Sequence, residues 1–245
     1  MSKENFLLPT KPQQPTVVNP RTMVIFSQKK TGKTHALSQL SNSLILDMEG
    51  GADFYECTKV NMTNLNEFDT IIQAFSEQKP QYDYIIIDTV TSLKEKVLNQ
   101  LAVRSYNREE NKNESFDFDV DKLAYGKGQV YKREALFKIM EFFTKFCKTL
   151  IVVGHVSDKS VTATGQTIKE LNLEGKLKDL LALRVDAIGY MYRDPENKNS
   201  NILSFNHTDD VIGGSRSKHL RNKEFKISEL NEKEELITFW NQIFI

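Results

Sequence analysis

Four short stretches of the chain are almost wholly apolar, and each stops at a small, polar or acidic residue. They are Met23-Val24-Ile25-Phe26, Ser43-Leu44-Ile45-Leu46-Asp47, Tyr84-Ile85-Ile86-Ile87-Asp88 and Thr149-Leu150-Ile151-Val152-Val153-Gly154. They do not alternate apolar with polar, which is how strands read when both faces of a sheet are covered. Between them the spacing turns helical. A pattern runs through Leu37 and Leu40, and residues 67–77 put Phe68, Ile71, Ile72 and Phe75 on one face. A further helix starts at about Ser92, and a long one covers 129–147 with Val130, Leu136, Phe137, Met140 and Phe143. Strands separated by helices predict an α/β fold with a mainly parallel central sheet flanked by helices.

The character changes late in the chain. Asp186–Tyr192 and Asn201–Phe205 read as strands of a C-terminal β-meander, joined by a turn at Asp194-Pro195-Glu196-Asn197. The last element is predicted as a helix over 231–243 with Leu236, Phe239 and Trp240. Residues 104–128 and 156–172 fit no regular element, and long irregular segments of this kind are usually functional or disordered. Residues 1–21 hold four of the six prolines and are expected to be extended, with one domain over 22–245. Phe6-Leu7-Leu8 is an apolar island in that segment, suited either to a neighbouring subunit or to its own domain.

Composition narrows the class. Of 245 residues, 33 are Lys or Arg and 33 are Asp or Glu, so a uniformly basic coat for nucleic acid is excluded while local basic patches are not. Cys57 and Cys147 form no CxxC pair, which speaks for reduced thiols. No apolar run has the length of a signal peptide or a membrane span, and a cytoplasmic location is expected.

The chemistry starts where the first strand ends. Ser27-Gln28-Lys29-Lys30-Thr31-Gly32-Lys33-Thr34-His35 matches the phosphate-loop pattern at Gly32, Lys33 and Thr34 and departs from it at Ser27, where the pattern has glycine. Such a loop cradles phosphates with backbone N–H groups, places Lys33 on the terminal phosphates and offers the Thr34 hydroxyl to Mg²⁺. Asp88 ends a buried strand, and a carboxylate there can hold Mg²⁺. Glu49, in Asp47-Met48-Glu49-Gly50-Gly51, is the candidate for activating water, with Asp47 as competitor. His155 ends the fourth strand and is a candidate sensor of the γ-phosphate.

The motifs SQKKTGKT, ILDMEGG, YIIIDT and VVGH, in this order and spacing, resemble the RecA-like branch of P-loop ATPases. They look most like the phage-encoded AAA-type nucleotide-binding proteins, some of which are single-strand-annealing recombinases. Tyr125-Gly126-Lys127-Gly128 and Leu173-Glu174-Gly175-Lys176-Leu177 share in that resemblance, which spans roughly 22–228. It implies ATP hydrolysis with Mg²⁺ at a subunit interface, in a homo-oligomeric ring or filament on single-stranded DNA. A single-strand DNA-binding protein is a further candidate partner. In such enzymes the loop after the histidine strand and the one before it face DNA, which here means 156–172 and part of 104–128. Charge agrees only in part. Residues 104–121 hold three basic residues against six acidic, whereas 122–138 are mainly basic, so Lys127 is the expected contact, with Tyr125 and Tyr131 able to stack or pack.

Residues 213–226 carry Arg216, Lys218, Arg221, Lys223 and Lys226 against one acid, Glu224. Arg216 or Lys218 could act in trans on a neighbour's ATP. The segment could equally touch DNA phosphates or be a solvated hairpin. A helicase loader, an accessory replication ATPase, and a nucleotide-dependent assembly switch with negligible hydrolysis share these motifs.

Overall fold

The computed structural model describes residues 8, 10–110, 112–115, 119–123, 126–160, 167–173, 175–208 and 210–245, with the backbone alone at 158–160 and 167. The four apolar stretches become β1 (Thr22–Ser27), β2 (Ser43–Asp47), β4 (Tyr82–Asp88) and β5 (Cys147–Ser160), with a short β3 (Lys59–Asn61) beyond β2. Further along lie β6 (Thr167–Leu171), β7 (Ala187–Arg193), β8 (Ser200–Ser204), β9 (Gly214–Ser215), β10 (Glu224–Leu230) and β11 (Leu236–Thr238). The sheet order is β11-β10-β8-β7-β1-β5-β4-β2-β3. From β7 to β3 every pair is parallel. β8, β10 and β11 add an antiparallel meander at one edge.

Alternate residues of one strand feed two cores, the arrangement expected of a doubly covered sheet. Val24 and Phe26 face a cluster with Phe68, Phe75, Leu136 and Phe143. Met23 and Ile25 face Leu37, Leu220, Trp240 and Ile243 on the other side. The helices are α1 (Lys33–Ser38), α2 (Leu65–Gln78), α3 (Val90–Leu93), α4 (Asn99–Glu109), α5 (Lys127–Phe143) and α6 (Lys176–Arg184). A π-turn at Lys94–Leu98 joins α3 to α4.

Register decides which residues meet. Ser27 pairs with His155 across β1–β5, and Asp47 with Asp88 across β2–β4. The polar residues that end the buried strands are thereby gathered at one end of the sheet, where ligands of open parallel sheets bind.

Three expectations from the sequence are corrected. No helix spans 231–243. Asn231 Oδ1 accepts from the N–H groups of Lys233 and Glu235, and Glu234 adopts a positive φ of 60°. This local turn overrides the helix-forming Glu-rich composition, sends Leu236–Thr238 back along β10, and leaves only a short 3₁₀ turn at Trp240–Gln242. Residues 156–172 are not irregular as far as they are described. β5 continues past His155 and pairs antiparallel with β6, making a hairpin arm. Residues 161–166 lie outside the described residues. Third, 104–109 belong to α4, held by the Arg104–Asp69 pair at 2.9 and 2.6 Å. Among 1–20, the described residues 8 and 10–18 are exposed, while Pro20 is buried and its carbonyl accepts from Thr149 Oγ1. Phe6 and Leu7 lie outside the described residues.

Candidate functional site

The loop between β1 and α1 closes on itself through Lys33. Its Nζ donates to Ser27 Oγ at 2.7 Å and to the Gln28 carbonyl at 3.2 Å, and Ser27 Oγ donates to that same carbonyl at 2.7 Å. Ser27 is fully buried and has no positive φ, so the first position of this loop needs no glycine. Gly32 does need its freedom, with φ at 98°. Thr31 Oγ1 also bonds the Gln28 carbonyl, at 2.8 Å. Lys29 is exposed, as is Lys30, which takes φ of 61° and lines the cleft beside the loop.

That cleft has a volume of about 410 Å³, in the range of ligand pockets. Gly32, Lys33, Thr34, Glu49, Asp88 and His155 line it. Thr34 Oγ1 donates to Asp88 Oδ2 at 2.6 Å. Burial pushes the Asp88 carboxyl above the usual carboxylate range; the Thr34 bond and Lys33 oppose that, while Glu49 and Asp47 add to it. Burial likewise pushes Lys33 down to about 8, against the pull of Asp88 and Glu49. Each group is thus buried at a cost that an opposite charge in the cleft would relieve.

Asp47 and Glu49 separate cleanly. Asp47 Oδ1 accepts from the N–H groups of Glu49 and Gly50 at 3.0 and 2.9 Å, and Oδ2 from Ala52 at 2.8 Å. Its oxygens are spent on shaping the turn. Glu49 instead reaches the cleft. Its Oε1 accepts from Thr89 Oγ1 and Ser92 Oγ, each at 2.7 Å, and its Oε2 lies 3.6 Å from His155 Nε2. His155 first, then the Ser92 and Thr89 hydroxyls, hold the carboxyl down to about 2, with burial opposing. His155 Nδ1 lies 3.5 Å from Lys33 Nζ, so the imidazole stands between the loop cation and Glu49.

Thr89, Ser92 and Lys96 were not singled out from the sequence. Lys96 Nζ donates to the Met48 carbonyl, so the helical run after β4 is tied to the Glu49 turn at more than one point. The available signal was two hydroxyl residues three apart just after a strand-end acid, the spacing that shares one helix face. Also unforeseen is an aromatic rim. His35 stacks on Tyr55 with ring centroids 4.3 Å apart, burial lowers the His35 pKa, and Phe54 beside them is 84% exposed.

Arg216 and Lys218 are not brought to the cleft. Arg216 Nη1 pairs with Asp186 at 3.1 Å and Nη2 bonds the Leu183 carbonyl at 2.7 Å, beside the start of β7 and thus at the sheet end opposite the loop. Lys218 is exposed. Lys127 pairs with Glu110 and Lys132 with Asp121, both at 2.6 Å, so the acidic and basic stretches of 104–138 partly neutralise each other. Tyr131 packs near Tyr106 in a small satellite core; Tyr125 and Glu174 lie outside the described residues.

The donor set fits a magnesium nucleotide. Thr34 and Asp88 supply hard oxygens, and among the described residues no cluster of three or more His, Cys, Asp or Glu could hold a metal ion alone. A strand, the Gly32-Lys33-Thr34 loop and a helix, within a parallel sheet of this order, define a P-loop nucleotide-binding domain with a RecA-like core. The family model described as AAA domain matches residues 19–217, and the chain belongs to that family. No curated protein matches the chain significantly. Among solved structures it is similar to the crystal structure of the RadB recombinase, at TM-score 0.47 and 11% identity, over 91% of this chain and 92% of that one. Among the described residues no helix is long and apolar enough to cross a membrane.

Proposed function

We propose that the cleft binds ATP with Mg²⁺ and hydrolyses it. The observation that carries this reading is the convergence of Lys33, Thr34, Asp88, Glu49 and His155 from four neighbouring strand ends. The loop from Ser27 to His35 holds the phosphates, with Lys33 on the terminal ones. Thr34 and Asp88 hold the metal, whose chemistry is to neutralise charge developing on the phosphates. Glu49 takes a proton from the attacking water as the water oxygen bonds to phosphorus and the bond to the diphosphate oxygen breaks. His155 lies between Lys33 and Glu49, where it senses the γ-phosphate. The aromatic rim of His35, Tyr55 and Phe54 suits a nucleobase.

The wider reading is an ATPase that assembles as a homo-oligomer on single-stranded DNA in phage-type recombination or annealing. It is supported by the motif order and by the hairpin arm, which starts at the γ-phosphate sensor and rises from the same end of the sheet. A cation from the 213–218 segment acts in trans. Lys218 is the better placed of the two, because Arg216 would first have to leave Asp186. The test is ATP turnover with and without single-stranded DNA, in wild type and Lys33→Ala. The reading expects DNA to stimulate wild type and Lys33→Ala to be inactive. Turnover in Lys33→Ala equal to wild type would overturn the site assignment, and nucleotide-dependent assembly without turnover would favour the switch.

A further inference from the structure

Glu49 sits in a turn whose other carboxylate, Asp47, is fully engaged by backbone N–H groups. Its side chain is oriented from outside that turn. Thr89 and Ser92, one helical turn apart at the start of α3, donate to the same oxygen, Oε1, at 2.7 Å each. Two donors converging on one oxygen fix the plane of a carboxylate. The other oxygen, Oε2, is then left toward His155, whose Nε2 is 3.6 Å away. The same helical run reaches the turn again through Lys96, which donates to the carbonyl of Met48, the residue before Glu49.

We propose that Ser92 is a positioning residue for Glu49: with Thr89 it pins Oε1, so that Oε2 presents to the attacking water. The inference rests on the reading of Glu49 as the group that activates water. Thr89 shares the task, but its Oγ1 also accepts from the Ser92 N–H at 3.4 Å and caps α3. Replacing Thr89 would therefore mix loss of the pin with loss of a cap. Ser92 is the clean probe.

The charged and titratable neighbours of Glu49 are Lys33, His155, Asp88 and Asp47, with Lys96 on its turn. None of these changes when the Ser92 hydroxyl is removed. A hydroxyl donor stabilises the ionised carboxylate, so its loss raises the Glu49 pKa from about 2.

The experiment measures kcat and KM for ATP of the full chain with magnesium, for wild type, Ser92→Ala, Ser92→Thr and Glu49→Gln. The expected result for Ser92→Ala is a kcat lower by roughly tenfold with a KM within about twofold of wild type, as a lost interaction specific to the transition state requires. Ser92→Thr, which keeps the hydroxyl, restores kcat. An unchanged kcat in Ser92→Ala, with Glu49→Gln inactive, would overturn this inference and leave the role of Glu49 standing. So would a lowered kcat that threonine does not rescue, or one matched by an equal rise in KM, which marks a merely structural serine. Full activity in Glu49→Gln would overturn the role of Glu49 itself.

Discussion

Lys33 is the residue at which burial and function conflict most plainly. Its ammonium is pushed down to about 8 from an ordinary value near 10.5. A folded-state pKa below the unfolded one destabilises the fold wherever the group is charged, so the penalty is complete below pH 8 and fades between pH 8 and 10.5. The shift corresponds to a penalty on the order of 3 kcal/mol. Lys33→Met should therefore melt several degrees above ligand-free wild type at pH 7, with the margin shrinking toward pH 10, while losing nucleotide binding. Thermal melts at the two pH values check this, and equal melting of the two proteins at pH 7 would contradict it. Much of the site was legible at this scale because Lys33, Glu49, Asp88 and His155 each follow an apolar run, and a polar residue ending a buried parallel strand has few other places to be. Ser92 was not legible, since its role depends on a helix start and on a carboxylate from a different strand.

Elements explain which parts of the fold could be read and which could not. β1, β2, β4 and β5 are buried on both faces and carry continuous apolar runs, so their existence follows from composition alone. The hairpin arm follows β5 into a polar sequence whose pairing is with its own return strand, and pairing of that kind leaves little periodic signal. The C-terminal helix failed because one asparagine side chain organised a turn that propensity does not count.

Gly128 illustrates the same gap. A Cβ there would come within 1.9 Å of the Val120 carbonyl oxygen, so α5 reaches the 3₁₀ turn at Val120–Lys122 only because this residue has no side chain. Gly128→Ala is expected to cost about 1–3 kcal/mol, or more since the obstacle is backbone. The loss should concentrate in α4, α5 and the 120–122 turn, where hydrogen exchange would quicken, with nucleotide affinity retained. Equal protection of these elements in the variant and wild type would count against the packing described.

At the scale of the whole molecule, the equal counts of acidic and basic residues become a matter of arrangement. Lys127 with Glu110 and Lys132 with Asp121 show that charges segregated along the chain are partly reunited by the fold. On the proposed reading, in which copies assemble on single-stranded DNA, affinity should come from many copies acting together. Binding is expected to be cooperative in protein concentration, nucleotide-dependent, and weakened by salt. Fluorescence anisotropy with a labelled oligonucleotide and an ATP analogue reads this; tight, non-cooperative binding without nucleotide would contradict it. The trans role makes a further demand. Lys218→Glu should lose turnover and partly recover it when mixed with Lys33→Ala, because mixed neighbours pair an intact loop with an intact cation. No recovery, with assembly intact, would remove Lys218 from the mechanism.

On the proposed function, Glu49 activates water in a cleft whose phosphate grip lies elsewhere, on Lys33, Thr34 and Asp88. Single-turnover hydrolysis of ATP by Glu49→Gln, alongside its equilibrium affinity for the nucleotide, tests this most directly. Affinity is expected to stay within a few-fold of wild type, and the hydrolysis rate to fall by roughly a hundredfold or more. Hydrolysis at the wild-type rate with affinity unchanged would contradict it.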